Sequence, residues 1–223
     1  MRIRQHGLSI AFGVIFVVAL AGQSIAGLQV FNEKQVAHGS SPVGWGEFVT
    51  SSAFVVDVAE NWQSEYLQFS LFIFATIWLV QKGSPESKKP GDEGLDSDEV
   101  QLVHEHAEEN SPKWAKASGW RHALFSNSLL IVMGAIFILS WLVQSIAGVV
   151  VFNAEQVAHE QALITWGDYL VSADFWNRTL QNWQSEFLAV GSMIALSIYL
   201  RQRGSPESKM VGAPNDVTSV SPD

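Results

Sequence analysis

The sequence predicts an all-α membrane protein of four transmembrane helices, arranged as two tandem parallel two-helix repeats with short interfacial helices on the trans side. Three observations carry this: long stretches without charge, a gapless internal duplication, and a one-sided distribution of basic residues. Only 16% of the 223 residues are charged and 48% are hydrophobic, where a soluble chain carries about a quarter of its residues as charged side chains. From Gly7 to Asn32 there is no ionisable residue, and none between His122 and Glu155. Each stretch exceeds the roughly 18 to 20 apolar residues that cross a bilayer as a helix. Two shorter apolar runs, Tyr66 to Gln81 and Phe187 to Leu200, reach spanning length only with helical residues from the segments before them.

The duplication appears on laying the chain over itself at a shift of 121 residues. GQSIAGLQVFNEKQVAH (22–38) aligns with VQSIAGVVVFNAEQVAH (143–159), Trp45-Gly46 with Trp166-Gly167, NWQSE (61–65) with NWQSE (182–186), and GSPESK (83–88) with GSPESK (204–209). Residues 22–88 and 143–209 share 32 identities in 67 positions without a gap, which marks an internal repeat. The unit is too long for a solenoid and reads as a membrane hairpin. The expected divisions are a first repeat over 7–88, an acidic flexible cytoplasmic linker over 89–120, a second repeat over 121–209 and a disordered tail over 210–223. The linker, with its Gly, Pro and acidic residues, lacks the apolar content for a core.

The repeat also bears on the N-terminus. Met1-Arg2-Ile3-Arg4, an apolar run and Ser24-Ile25-Ala26 resemble a cleavable signal peptide. QSIAG nevertheless recurs at Gln144 to Gly148, so it reads as the end of a helix in both copies, and the first helix is expected to be retained. Of thirteen Lys and Arg, only Lys34 and Arg178 fall in the segments that follow the first and third helices. The remaining basic residues share one side, which places both termini and the linker in the cytoplasm. Repeats in the same orientation are related by an axis along the membrane normal.

The trans-side segments, roughly Gly27 to Asn61 and Gly148 to Asn182, contain Asn32-Glu33-Lys34-Gln35 and Asn153-Ala154-Glu155-Gln156 as short helical signals. Here Asn can cap a short helix while Gln reaches back. Phe54, Val58, Trp62 and Tyr66, matched by Phe175, Thr179, Trp183 and Phe187, form a stripe suited to an interfacial helix that continues into the membrane. Trp45, Trp62, Trp166, Trp176 and Trp183 are the expected outer interfacial anchors, with Trp114 and Trp120 on the inner side. GSPESK reads as a helix stop, with Gly in a left-handed cap and Pro after it.

The candidate site is polar. Asn61, Ser64 and Glu65 share one helix face, as do Asn182, Ser185 and Glu186, while Gln23-Ser24 and Gln144-Ser145 lie at a comparable depth on the preceding helices. Amides and carboxylates in lipid require partners, so these groups are expected to turn inward as a hydrogen-bonded clasp. The alternative role is a proton or ion site near Glu65 and Glu186. Nothing in the spacing of His38, His159, Glu65 and Glu186 demands a metal. His104-Glu105-His106 is not a zinc helix motif. No nucleophile elbow, phosphate loop or dinucleotide fingerprint occurs, so neither an enzyme nor a cofactor is expected. Without cysteine, disulfides and thiol chemistry are excluded. A net charge of −9 argues against nucleic acid.

The set FNxxQVAH, Trp-Gly, NWQSE(F/Y)L and GSPESK resembles an uncharacterised bacterial integral membrane family, a domain of unknown function, over both repeats. The resemblance implies a bacterial inner membrane and brings no functional residues with it. The first copy departs in having Tyr66 for Phe and Phe54-Val55 where the second has Phe175-Trp176. The function expected is a non-enzymatic scaffold or accessory subunit, with the bilayer and either a membrane-protein partner or a further copy of the chain as companions. The alternative is a small transporter or channel.

Overall fold

The computed structural model describes residues 5–219; Arg2 and Arg4, which enter the charge argument, and the last four residues of the tail lie outside them. Among the described residues there are seven α-helices, one 3-10 turn and no strand. In chain order these are α1 (Gly7–Ala37), α2 (Trp45–Val49), α3 (Ser52–Trp78), the 3-10 turn His104–His106, α4 (Trp120–Ser126), α5 (Ser128–Ala158), α6 (Trp166–Leu170) and α7 (Ala173–Tyr199). Moving α1, α2 and α3 by 121 residues gives the bounds of α5, α6 and α7, with lengths of 31, 5 and 27 residues in each set.

Two of these helices, α1 and α5, are long and apolar enough to cross a membrane, rather than the four expected. The reason lies in the N-terminal halves of α3 and α7. These helices have the length, but α3 carries Asp57, Glu60 and Glu65, and α7 carries Asp174, Arg178 and Glu186. A core helix of a soluble protein can be equally apolar, but it would be mostly buried. Only 6% of the apolar window of α1 and 17% of that of α5 is buried. Leu8, Phe12, Ile15, Val18, Ile131, Ile138 and Leu139 all stand exposed. The α5 helix is also far from the N-terminus, so the signal-sequence explanation does not reach it.

The described chain packs as two compact units, residues 5–60 with 141–176 and residues 61–140 with 177–219. Each draws on both copies, so the units cut across the repeat boundaries. In the first unit the long helices run further than the sequence predicts. Asn32 and Asn153 do not start a short helix; each lies inside α1 or α5, which continues to Ala37 or Ala158. No helix breaker separates QSIAG from that point, and the Asn carboxamide has another use. Asn32 donates to the Val43 carbonyl (3.0 Å) and accepts from the Val43 amide (2.8 Å). Asn153 does the same with Ile164, at 2.9 and 3.0 Å. One side chain thus satisfies both backbone groups of a loop residue, as a strand partner would.

Both helices end on the same tight cap. The Ser40 amide bonds to the Gln35 carbonyl and the Gln161 amide to the Gln156 carbonyl, each at 2.8 Å. The residue before each has positive φ, 75° at Gly39 and 55° at Glu160. Glycine meets that requirement without a Cβ penalty, and Glu160 adopts it at a cost.

The short helices α2 and α6 are held by one aromatic side chain each. Phe48 and Tyr169 are buried and seat on glycines of the long helices. A Cβ added at Gly27 would come within 2.9 Å of the Phe48 ring, and one at Gly148 within 2.5 Å of the Tyr169 hydroxyl. Phe48 packs between Phe31 and Phe54, with centroids at 5.5 and 5.4 Å. Tyr169 packs between Phe152 and Phe175 at 5.7 and 5.6 Å. Its hydroxyl donates to Asp174 at 3.1 Å. A side chain at either glycine would overpack this seat.

In the second unit GSPESK does not cap the helices. The α3 and α7 helices end at Trp78 and Tyr199, and Gly83 and Gly204 lie beyond, with φ of 88° and 87°. The motif forms a loop of its own, the same in both copies. Ser87 Oγ accepts from the Gln81 amide and Ser208 Oγ from the Gln202 amide, each at 2.8 Å. The lysines that close the motif then diverge. Lys88 Nζ reaches Asp96 and the Gly94 carbonyl in the linker, both at 2.7 Å. Lys209 is buried, and its Nζ donates to the carbonyls of Gly83 (2.6 Å), Asn215 (2.9 Å) and Val217 (3.3 Å). The Gly83 amide donates to Thr218 Oγ1 at 2.8 Å, and the Ser219 amide to the Ser84 carbonyl at 3.1 Å. These bonds tie the tail up to Ser219 to the first GSPESK loop. The linker likewise has bonds of its own, including the His104 amide to the Ala115 carbonyl at 3.0 Å.

Replacing Gly148 with Ala should lower stability by about 1–3 kcal/mol through overpacking. Adding Tyr169→Phe, which removes the atom nearest the new methyl, should restore part of the loss. Thermal unfolding of the purified protein in detergent measures both; a Gly148→Ala protein as stable as the parent would contradict the aromatic seat.

Candidate functional site

The polar residues singled out by the sequence separate into two sets. In the first unit, Ser24 and Ser145 are buried on the apolar helices α1 and α5. Each hydroxyl donates to a carbonyl one turn back, Ser24 to Ala21 (2.8 Å) and Ser145 to Leu142 (2.7 Å). Each also accepts an indole N–H at 3.1 Å, from Trp45 and Trp166 respectively. These tryptophans open α2 and α6, so the same bonds that satisfy the serines fix the short helices on the long ones. Both rings remain about half exposed, as an interfacial anchor requires. Gln144 is also buried and Gln23 half-buried.

In the second unit the two NWQSE segments meet. Gln63 is fully buried and its Oε1 accepts the Trp183 indole N–H at 2.8 Å, a contact between one copy of the motif and the other. The Gln63 amide nitrogen has no partner among the described residues. Ser64, buried beside it, donates to the Asn61 carbonyl at 2.9 Å and lies against the Glu186 carboxyl group. Glu65 is within range of the Glu186 charge. The copies are not equivalent here, since Glu65 is exposed and Glu186 half-buried. Ser185 is exposed and bonds only its own turn, to the Asn182 carbonyl, while Asn182 donates to the Arg178 carbonyl. Of the other anchors, Trp62 is partly exposed, and Trp176 donates to the Leu170 carbonyl at 3.0 Å.

Sequence reasoning missed Gln63, which sits inside the quoted motif. Its partner lies 120 positions away, and no local periodicity reveals such a pair. It also passed over Phe48 and Tyr169, which differ between copies and drop out of an identity count. The recurrence of Gly27 and Gly148 within QSIAG was the available signal.

The second unit brings like residues of the two GSPESK loops together as well. Burial, then the charge of Glu207, raises the Glu86 carboxyl above the usual carboxylate range. Burial, then Arg201, pushes Lys209 below the usual lysine range. The Lys88 hydrogen bond holds Asp96 low. In the linker, His104 and His122 pack ring to ring at 4.2 Å, and His104 lies 4.0 Å from Asp98. A cleft of about 820 Å³ there is lined in part by Asp96, Asp98, Gln101, His122 and Asn127. No group of three or more His, Asp or Glu among the described residues is placed to hold a metal ion.

Fold and site together define an all-helical protein with two helices suited to a membrane and a repeated framework of polar contacts. The chain belongs to the family described as a domain of unknown function (DUF6766), which it matches over residues 1–220, in line with the resemblance read from its motifs. Neither a curated protein nor a solved structure matches it significantly.

Replacing Gln63 with Leu should cost about 1–3 kcal/mol, because the half-buried Trp183 indole N–H loses the Gln63 acceptor. Trp183→Phe in that background should cost less than it does alone. Melting of the two single variants and the double variant measures the coupling, and strictly additive losses would contradict it.

Proposed function

We propose that this protein is a non-enzymatic integral membrane scaffold or accessory subunit of a bacterial plasma membrane, with both termini cytoplasmic. The observation that carries the reading is the use made of its polar side chains. Ser24, Ser145, Asn32, Asn153 and Gln63 are engaged in contacts that fix one segment on another. Four of them repeat the same geometry in both copies. Such groups serve shape rather than chemistry. Matching helix bounds at a shift of 121 residues support two parallel hairpins, and the placement of the basic residues supports the orientation.

In this arrangement α1 and α5 cross the membrane. At 31 residues each they are roughly 46 Å long by the helical rise, against a hydrocarbon core of about 30 Å. Part of the excess is the polar stretch after Phe31 and Phe152, which emerges on the trans side and leads to α2 and α6. The α3 and α7 helices return the chain, their charged first halves at the interface and their apolar second halves in the core. A membrane protein, or a further copy of this chain, is the companion such a scaffold serves.

One observation favours a second reading. Glu186 lies against buried Ser64 and within range of the Glu65 charge, and carboxylates near a membrane core are a recurring proton or cation site. The two readings differ in flux. Purified protein in sealed vesicles with an entrapped pH dye should hold an imposed gradient as long as protein-free vesicles do. A leak that disappears in the Glu65→Gln, Glu186→Gln protein would overturn the scaffold reading and establish the transport site.

A further inference from the structure

His38 and His159 occupy matching places in the two copies, each immediately after a 31-residue helix. The structure brings them together edge to face within the first unit, with ring centroids 6.4 Å apart and planes at 88°. Both side chains are exposed. Neither ring has a hydrogen-bond or ion-pair partner among the described residues.

Three physical points converge on this pair. Neutral imidazole is the commonest protein ligand for zinc, copper and nickel. With a metal–nitrogen bond of about 2.0–2.1 Å, two imidazoles on one ion have centroids on the order of 5 to 6.5 Å apart, from tetrahedral to linear. The observed 6.4 Å lies at the linear end of that range, and rotation of the two exposed side chains brings the rings closer for a bent arrangement on a shared ion. Both rings also sit at helix C-termini, where the carbonyl ends contribute roughly half a negative charge each and favour a cation. The Schellman-type caps at Gly39 and Glu160 fix the backbone on both sides, so ordering the ligands costs little.

We propose that His38 and His159 form a two-histidine site for a divalent transition metal ion of the zinc, copper or nickel kind, with water completing its coordination. The bound ion joins the ends of α1 and α5. It draws on no carboxylate of the NWQSE segments and is independent of whether the protein scaffolds or transports.

The test uses the full chain, purified without a polyhistidine tag, titrated calorimetrically with zinc chloride and with nickel chloride. One ion per chain is expected, with affinity falling at least tenfold in His38→Gln and again in His159→Gln. Acid should weaken binding, because protons compete with the ion for the ligand nitrogens. Zinc should raise the melting temperature of the parent and leave that of either variant unchanged. A His104→Gln, His106→Gln protein should bind as the parent does. Because both histidines are exposed, the variants should melt like the parent in chelator. Binding undiminished by the His38 and His159 substitutions, binding lost only with His104 and His106, or no binding at all would each overturn the site.

Discussion

A serine hydroxyl in the middle of an apolar helix has few partners available. In water it would be solvated; against lipid or packed side chains it must find an acceptor and a donor inside the protein, or the helix bears the cost. Ser24 and Ser145 meet this constraint with two bonds each, one to their own helix and one from a tryptophan of the short helix that follows. Much of the first unit follows from that pairing. The indole fixes where α2 or α6 begins, which sets the phase of its five residues and turns Phe48 or Tyr169 onto the glycine three positions after the serine. The Asn clamp then settles the loop between, because both ends are already in place.

The copies agree where backbone groups and buried polar atoms must be satisfied and differ where the surroundings are more tolerant. The Ser–Trp and Asn–loop bonds are the same to within about 0.2 Å. By contrast, α6 has a capping box between Thr165 and Asp168, where α2 is preceded by Gly44 with no side-chain cap. The residue with positive φ is Gly39 in one copy and Glu160 in the other. Phe48 has become Tyr169, and its added hydroxyl is matched by Asp174, which stands where the first copy has Ala53. In the second unit the divergence is larger. Lys88 serves the linker and Lys209 the tail, so identical motifs order different segments.

How much of this could be read in advance depended on distance along the chain. The apolar helices were legible because a run without charge is a local property, and the matching copies because identity survives in single letters. Helix ends were less legible. Asn32 is as good a capping residue as it is a clamp, and only the position of Val43 decides between them. GSPESK has the composition of a helix stop, yet its serines close a loop further on. The Gln63–Trp183 bond and the His38–His159 contact join residues about 120 positions apart, for which one sequence holds no pattern. Two helices rather than four are apolar enough by themselves to cross, because the runs from Tyr66 and Phe187 reach spanning length only through NWQSE, whose flanking charges belong to the same helices.

The proposed reading has two like hairpins in the membrane in the same orientation, with the polar ends of α1 and α5 outside. Single cysteines supply the most direct measurement, since the chain has none of its own. Cysteine placed at Gln161, Ser41 or Asp96 would be exposed in intact cells to a thiol reagent that does not cross the membrane. The account predicts rapid labelling at Ser41 and Gln161 and labelling at Asp96 only after the cells are opened. Labelling of Ser41 and Gln161 from opposite sides, or of Asp96 in intact cells, would contradict it.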